Sequence, residues 1–152
     1  MNMKAARLYG KNDLRVVDIP VADIGGDEML VRVKAATVCG TDLRMFANGA
    51  KGVDGEHPMT LCHEFAGVVE KVGGDVSGYA AGQRVSIAPN FGCGICDRCV
   101  SGNSHHCARL KAIGVNMDGG FAEFVRVPAA AIAQGNVTPL ADNVSFEAAA
   151  AN

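Results

Sequence analysis

A chain of 152 residues, 49% hydrophobic and 20% charged, is long enough to bury one domain's core without disulfide staples. Lys and Arg number 14 against 16 Asp and Glu, so the net charge is −2, and no electrostatic case arises for nucleic acid or an anionic membrane. The 19 glycines beside only 5% aromatics favour turns and short strands over long packed helices.

From Met1 to Leu14 there is no apolar run of signal-peptide length, and no later segment approaches the roughly 20 apolar residues of a membrane helix. The expected location is cytoplasmic, where the 6 cysteines are better explained by metal than by disulfides. Strands are predicted over residues 14–19, stopped by Pro20, and over 29–35, where apolar and charged residues alternate as on a half-buried surface. Further strands are predicted over 65–72, closed by Gly73-Gly74, over 85–88, ending at Pro89, and over 121–127, stopped by Pro128. Residues 41–47 carry a short helical signal with Thr41 as N-cap. A better helix begins at Ser145, with Glu147 in its first turn and alanines after it, and is read as still running where the sequence stops. No internal repeat or low-complexity tract interrupts this order, which predicts a mainly β, barrel-like domain with small helices.

Cys93, Cys96, Cys99 and Cys107 form a C-x2-C-x2-C-x7-C array among glycines, which let the backbone curl so that several sulfurs point inward. Four thiolates at this spacing point to a zinc ion with a closed, structural shell, whose negative charge Arg98 and Arg109 are placed to offset. Paired disulfides and unrelated thiols are the alternatives, and His105 and His106 are either substitute ligands or solvated loop residues. A second group is dispersed: Cys39-Gly40-Thr41-Asp42 after one strand, and His63-Glu64 before another. Singly, a Cys is usually a small buried hydrophobe and a His a hydrogen-bonding group. Together they supply thiolate, imidazole and carboxylate, a donor set suited to a catalytic zinc with one position left open.

Cys-Gly-Thr-Asp, His-Glu-Phe-Ala-Gly-Val-Val, the four-cysteine lobe and Asp-Gly-Gly-Phe-Ala-Glu-Phe-Val, in that order, resemble the zinc-dependent medium-chain alcohol and polyol dehydrogenases, and within them the sorbitol (L-iditol) and threonine dehydrogenase branch. The resemblance spans essentially the whole chain. It implies a GroES-like, partly open β-barrel catalytic domain over residues 1–152, with a Rossmann cofactor domain and a C-terminal return segment lying outside these residues. It also implies Cys39 and His63 as ligands of a catalytic zinc, Glu64 as a further ligand or its close neighbour, Thr41 as the hydroxyl that takes the substrate proton, and Asp42 as the group fixing the His63 ring. Two zinc ions per chain are expected, with NAD or NADP in the complete enzyme and a homo-oligomer as its assembly.

Three departures from the family pattern stand out. Cys62 replaces the usual Gly before His-Glu; read as a strand residue, it points away from its neighbour and packs behind the site. Arg44 replaces a relay His and cannot give up its proton, so it is a candidate contact for cofactor sugar-phosphate or a solvated surface residue. Gln83-Arg84 replaces a Gly-Asp-Arg ending, with a structural reading.

The activity implied is oxidation of a secondary alcohol, with a polyol favoured: zinc lowers the alcohol pKa to form an alkoxide, the proton leaves through Thr41, and hydride passes to nicotinamide. Met45 and Phe46 are candidates for the pocket wall or simple core packing. No Gly-x-Gly-x-x-Gly is present, so the chain alone is expected to bind zinc without dehydrogenase turnover. A non-catalytic zinc-stapled binding module is the main alternative. A zinc-free quinone reductase or an assembly domain of the co-chaperonin type would leave both ligand sets idle.

Overall fold

The computed structural model describes residues 1–151. In chain order the elements are β1 (Asn2–Gly10), β2 (Asp13–Pro20), β3 (Met29–Ala36), α1 (Gly40–Asn48), β4 (Met59–Thr60), β5 (Phe65–Val72) and β6 (Arg84–Ile87). There follow β7 (Asn90–Phe91), α2 (Asp97–Val100), a 3-10 turn (Ser104–His106), β8 (Lys111–Ala112), β9 (Phe124–Val127), α3 (Ala129–Ala133), β10 (Val137–Pro139) and α4 (Phe146–Ala150). The architecture is mainly β, as the composition predicts.

A five-stranded antiparallel sheet in the order β10-β6-β5-β3-β9 carries the main core, and a three-stranded sheet in the order β2-β1-β4 stands beside it. The two are stitched by the segment before β9: Ala6 N–H donates to Phe121 O at 2.7 Å, Glu123 N–H to Lys4 O at 3.1 Å, and Val33 N–H to Glu123 O at 2.9 Å. The sheets therefore wrap without closing, a partly open barrel of GroES-like type.

β3 explains where the core sits. Its last residues alternate as the sequence predicts, but Met29, Leu30 and Val31 are all buried. Met29 and Val31 face the main core with Phe65, Val85 and Ile87, whereas Leu30 packs on the other side against Met3 and Phe124. α1 lies on a smaller cluster of Leu8, Met45, Met59 and Leu61. α4 sets Ala149 and Ala150 against Ala66 of β5, small residues that allow close approach.

β1 is absent from the sequence-based prediction. Its stretch Lys4-Ala5-Ala6-Arg7-Leu8 has helical rather than strand propensity, and pairing with β2 along nearly its whole length overrides that preference. The helix expected over 145–151 closes at Ala150; Ser145 caps it, its Oγ accepting Ala148 N–H at 3.1 Å. No described helix is long and apolar enough to cross a membrane.

Candidate functional site

Cys39 is the N-cap residue of α1, not Thr41, which falls in the first turn. Its extended backbone (φ −95°, ψ 157°) ends the approach from β3 and leaves the thiol at the turn into the helix. His63 and Glu64 stand just before β5, where Thr37 N–H donates to Glu64 O at 2.9 Å and continues the β3–β5 pairing outward. The thiol, imidazole and carboxylate of Cys39, His63 and Glu64 thereby come within 4.8 Å of one another, although 24 positions of sequence separate the first two. The His63 Nε2–Glu64 Oε1 distance is 3.8 Å, and the two side chains are only 14% and 21% exposed. Three unlike donors facing one gap suit zinc by number and by type.

Asp42 is buried at 3% exposure and links the two ligand-bearing segments. Its Oδ2 accepts Cys39 N–H at 2.9 Å and its Oδ1 accepts Cys62 N–H at 3.1 Å. The sequence assigns this carboxylate to the His63 ring; the structure gives it to two backbone donors, and His63 Nδ1 is buried without a hydrogen-bond partner among the described residues. The reason is register: at the third helical position, a carboxylate reaches back to the N-cap amide. Each donor it satisfies costs about 1–3 kcal/mol if left buried and unpaired.

Cys62 departs from the extended conformation expected for it, with φ at +80°. The left-handed backbone explains why Gly suits this position. The thiol turns toward Glu64 O at 3.2 Å and Thr37 O at 3.6 Å, outside the donor group, and burial pushes it up to about 12. Close backbone packing holds the bend: a Cβ on either Gly114 or Gly119 would collide with the Cys62 carbonyl.

Thr37, missing from the sequence-based site, donates its hydroxyl to Glu64 Oε2 at 2.6 Å and holds that carboxyl below its usual range, the Cys39 thiol adding to the effect. No motif flags it, because a lone Thr just past the end of a strand is ordinary. Thr41 Oγ1 accepts a long bond of 3.5 Å from the exposed Arg44 guanidinium. A cleft of about 680 Å³ opens beside the donors, lined by His63, Glu64, Ser86, Asn90, Thr138 and Ala148. Met45 is buried under α1, while Phe46 is 36% exposed and does not line this cleft.

The second group is the lobe between β7 and β8. The short β7–β8 pairing pins both ends of the excursion. Gln134, beyond α3, clamps its start: its Oε1 accepts Gly92 N–H at 3.2 Å and its Nε2 donates to Gly92 O at 2.9 Å. All six cysteines are free thiols. The Sγ atoms of Cys96 and Cys99 are 3.6 Å apart, those of Cys96 and Cys107 3.8 Å, and those of Cys93 and Cys99 4.0 Å. A tetrahedron with Zn–S near 2.3 Å has edges of about 3.8 Å, so the cluster is able to hold zinc. Backbone N–H groups, that of Ile95 foremost, bring Cys93 down to about 6, and Arg109 N–H lowers Cys107, whereas burial raises Cys99 to about 11. Hydrogen bonding thus favours the thiolate form at Cys93 and Cys107, and burial opposes it at Cys99. The Arg109 guanidinium bonds Cys93, whereas that of Arg98 makes no such contact among the described residues. His105 and His106 are exposed, their rings 4.2 Å apart, outside the sulfur group. Arg84 donates to Ala141 O at 2.9 Å and to Val144 O, lying over the Phe146 ring, and so ties the loop before α4 to the sheet.

Residues 25–137 match the family model of the alcohol dehydrogenase GroES-like domain. The chain is 36% identical to an L-threonine 3-dehydrogenase of Rhizobium etli over 98% of its length and 43% of the relative's. It is 34% identical to a sorbitol dehydrogenase of Bacillus subtilis, over 98% of its length and 41% of the relative's. A Sinorhizobium meliloti structure with NADP bound, described as that of a zinc-binding dehydrogenase, superposes with a TM-score of 0.85 at 34% identity, over 99% of this chain and 42% of that one. The chain therefore spans about two fifths of the length of these relatives.

Proposed function

The chain belongs to the alcohol dehydrogenase GroES-like domain family, and from that premise we propose that it is the catalytic domain of a zinc-dependent NAD(P) dehydrogenase oxidising a secondary alcohol, with polyols the favoured substrate class. The observation that carries this reading is the convergence of Cys39, His63 and Glu64 beside an open cleft. A binding module needs the four-cysteine lobe alone and leaves that convergence without a use.

Cys39, His63 and Glu64 would hold the catalytic zinc, and Cys93, Cys96, Cys99 and Cys107 the structural one. Zinc bound at the first group supplies Lewis acidity toward a substrate hydroxyl. The remaining work belongs to the chain. The Thr41 hydroxyl receives the substrate proton, and Arg44, fixed in its charge, hands no proton onward, so the exit runs through water or a cofactor ribose hydroxyl. Asp42 holds the ligand segments together from behind, and Thr37 orients Glu64. Ser86, Asn90 and Thr138 give the cleft hydroxyl and amide groups that suit a polyhydric substrate. Nicotinamide binding would fall to a separate domain of the Rossmann type, since no Gly-x-Gly-x-x-Gly occurs in these residues.

Metal analysis of the purified chain is the test. Two zinc ions per chain are expected, with Cys39→Ser or His63→Ala losing one and Cys99→Ser losing the other. A wild-type chain that binds one zinc and is indifferent to Cys39→Ser overturns the reading. The 152 residues alone are expected to give no NAD-dependent polyol turnover. A chain that also carries a nicotinamide-binding domain, screened with polyols, threonine and simple alcohols and both cofactors, reads out the substrate.

A further inference from the structure

Among the described residues, β2 is the longest strand with a free edge: it runs 8 residues with β1 on one side only, whereas the edges at β4, β9 and β10 have 2, 4 and 3. Which of its main-chain groups are free follows from β1. Ala6 N–H donates to Phe121 O, Lys4 N–H donates to Glu123 Oε2 and Lys4 O accepts Glu123 N–H, so the even-numbered residues of β1 bond away from β2. Its odd residues therefore face β2, and with Met3 opposite Ile19, Ala5 opposite Val17 and Arg7 opposite Arg15, they engage the odd residues there. Leu14, Val16 and Asp18 are left with N–H and C=O groups that point out of the sheet. Their side chains share one face, on which Val16 is 72% and Leu14 42% exposed, while Lys4 neutralises Asp18 at 3.3 Å. Such edges are commonly blunted by lysine or proline, but β2 has no Lys, and its Pro20 falls at the last position.

These groups complement a second copy of themselves. Antiparallel pairing about a twofold axis at Val16 sets Val16 against Val16, and Leu14 of each copy against Asp18 of the other. The free N–H groups of each strand then all meet free C=O groups of its twin. Displaced by one step the register opposes Arg15 to Arg15, and displaced the other way it opposes Val16 to Asp18. Any register that pairs even with odd residues points free N–H groups at ones already engaged. We infer that the protein self-associates edge to edge through β2, with Val16 on the axis and the β2-β1-β4 sheet continued into its twin. One strand edge buries less than the roughly 1,200 Å² of a standard interface, so the dimer is weak and depends on concentration. The inference uses neither metal group and stands apart from the catalytic reading.

Sedimentation of the zinc-loaded chain from about 10 μM to about 1 mM is expected to show a monomer passing into a dimer. Val16→Lys sets two like charges on the axis and should weaken the dimer at least about tenfold, while Val16→Thr, which keeps the β-branch, should leave it within about threefold. Amide exchange followed by NMR reads the register. Leu14, Val16 and Asp18 should gain protection only as concentration rises, whereas Arg15 and Val17 should be protected throughout. A monomer at every concentration, or a dimer indifferent to Val16→Lys, overturns the inference. Protection of Leu14, Val16 and Asp18 that is independent of concentration overturns it too, because the edge is then covered within one copy. The exchange pattern of the unsubstituted chain decides the matter if the lysine variant loses its fold by circular dichroism.

Discussion

At Glu64 the carboxylate is claimed from several sides. Thr37 donates to Oε2 at 2.6 Å, the Cys39 thiol adds to the stabilisation, and His63 Nε2 lies 3.8 Å from Oε1. The strongest of these is the Thr37 hydroxyl, which stabilises the ionised carboxyl and lowers its pKa. A lowered carboxyl contributes stability that is present above its unfolded value, near ~4.3, and is lost as pH falls through the folded value. Thr37→Val keeps the side-chain shape and removes the donor. In the metal-free chain the Glu64 pKa should rise toward the ordinary value, and acid unfolding should begin at higher pH. Carbon-detected NMR titration of Glu64 measures this directly; an unchanged titration curve would mean that the hydroxyl does not hold the carboxyl. Zinc affinity should be most sensitive to the substitution where the carboxylate has to stay in register with Cys39. The sequence names Glu64 but not Thr37, because a hydrogen bond between residues 27 positions apart leaves no spacing signal. Asp42 shows the same limit from the other side. Its motif position is legible, but whether it serves a ring or two amides depends on helix register, and the N-cap stands two residues earlier than expected, at Cys39 instead of Thr41.

Among the elements, the four-cysteine lobe is the one most fully written in the sequence, since its ligands are local and their spacing limits where the sulfurs can go. Its anchorage is not local. Gly92 is held by Gln134, 42 residues away, and Asn136 donates to Ala88 O at 2.8 Å and Asn90 O at 2.7 Å beside it. Gly92 also packs so closely that an added Cβ would meet Cys99 Sγ and Cys107 Cβ. Gly92→Ala must therefore push one sulfur out of a tetrahedron whose edges have little slack. The expected outcome is loss of one of two zinc ions, with the other retained and the sheet intact by circular dichroism. Full occupancy in the variant would show that the lobe yields without losing its ion. Strands were legible where β-branched residues alternate, as in β3 and β5, whereas β1 was hidden by its Lys4-Ala5-Ala6-Arg7-Leu8 stretch, whose conformation is imposed by β2.

For the molecule as a whole, stability is divided between two sources that hardly overlap. The five-stranded sheet buries Val31, Phe65, Val69, Val85 and Ile87 in a core that needs no ion. Between Cys93 and Leu110 only Cys107 is buried, and Ile95 and Val100 stand 77% and 71% exposed, so the lobe has no apolar core. With only local, largely exposed hydrogen bonds beside it, a zinc ion on the four sulfurs would be the main source of its order, a structural zinc supplying roughly 10–16 kcal/mol at neutral pH. The group of Cys39, His63 and Glu64 lies instead between segments already fixed by Asp42 and by the β3–β5 pairing, and so should keep its arrangement without an ion. Chelation is then expected to act regionally. Hydrogen exchange after zinc removal should show residues 93–107 losing protection while β3, β5 and β6 keep theirs, because local opening need not cross the global barrier. Cys39→Ser, which empties the other site, should leave the lobe protected. If chelation instead collapsed protection across the five-stranded sheet, the lobe would have to be bearing on the barrel through contacts stronger than the Gln134 clamp, and the two sources of stability would be one.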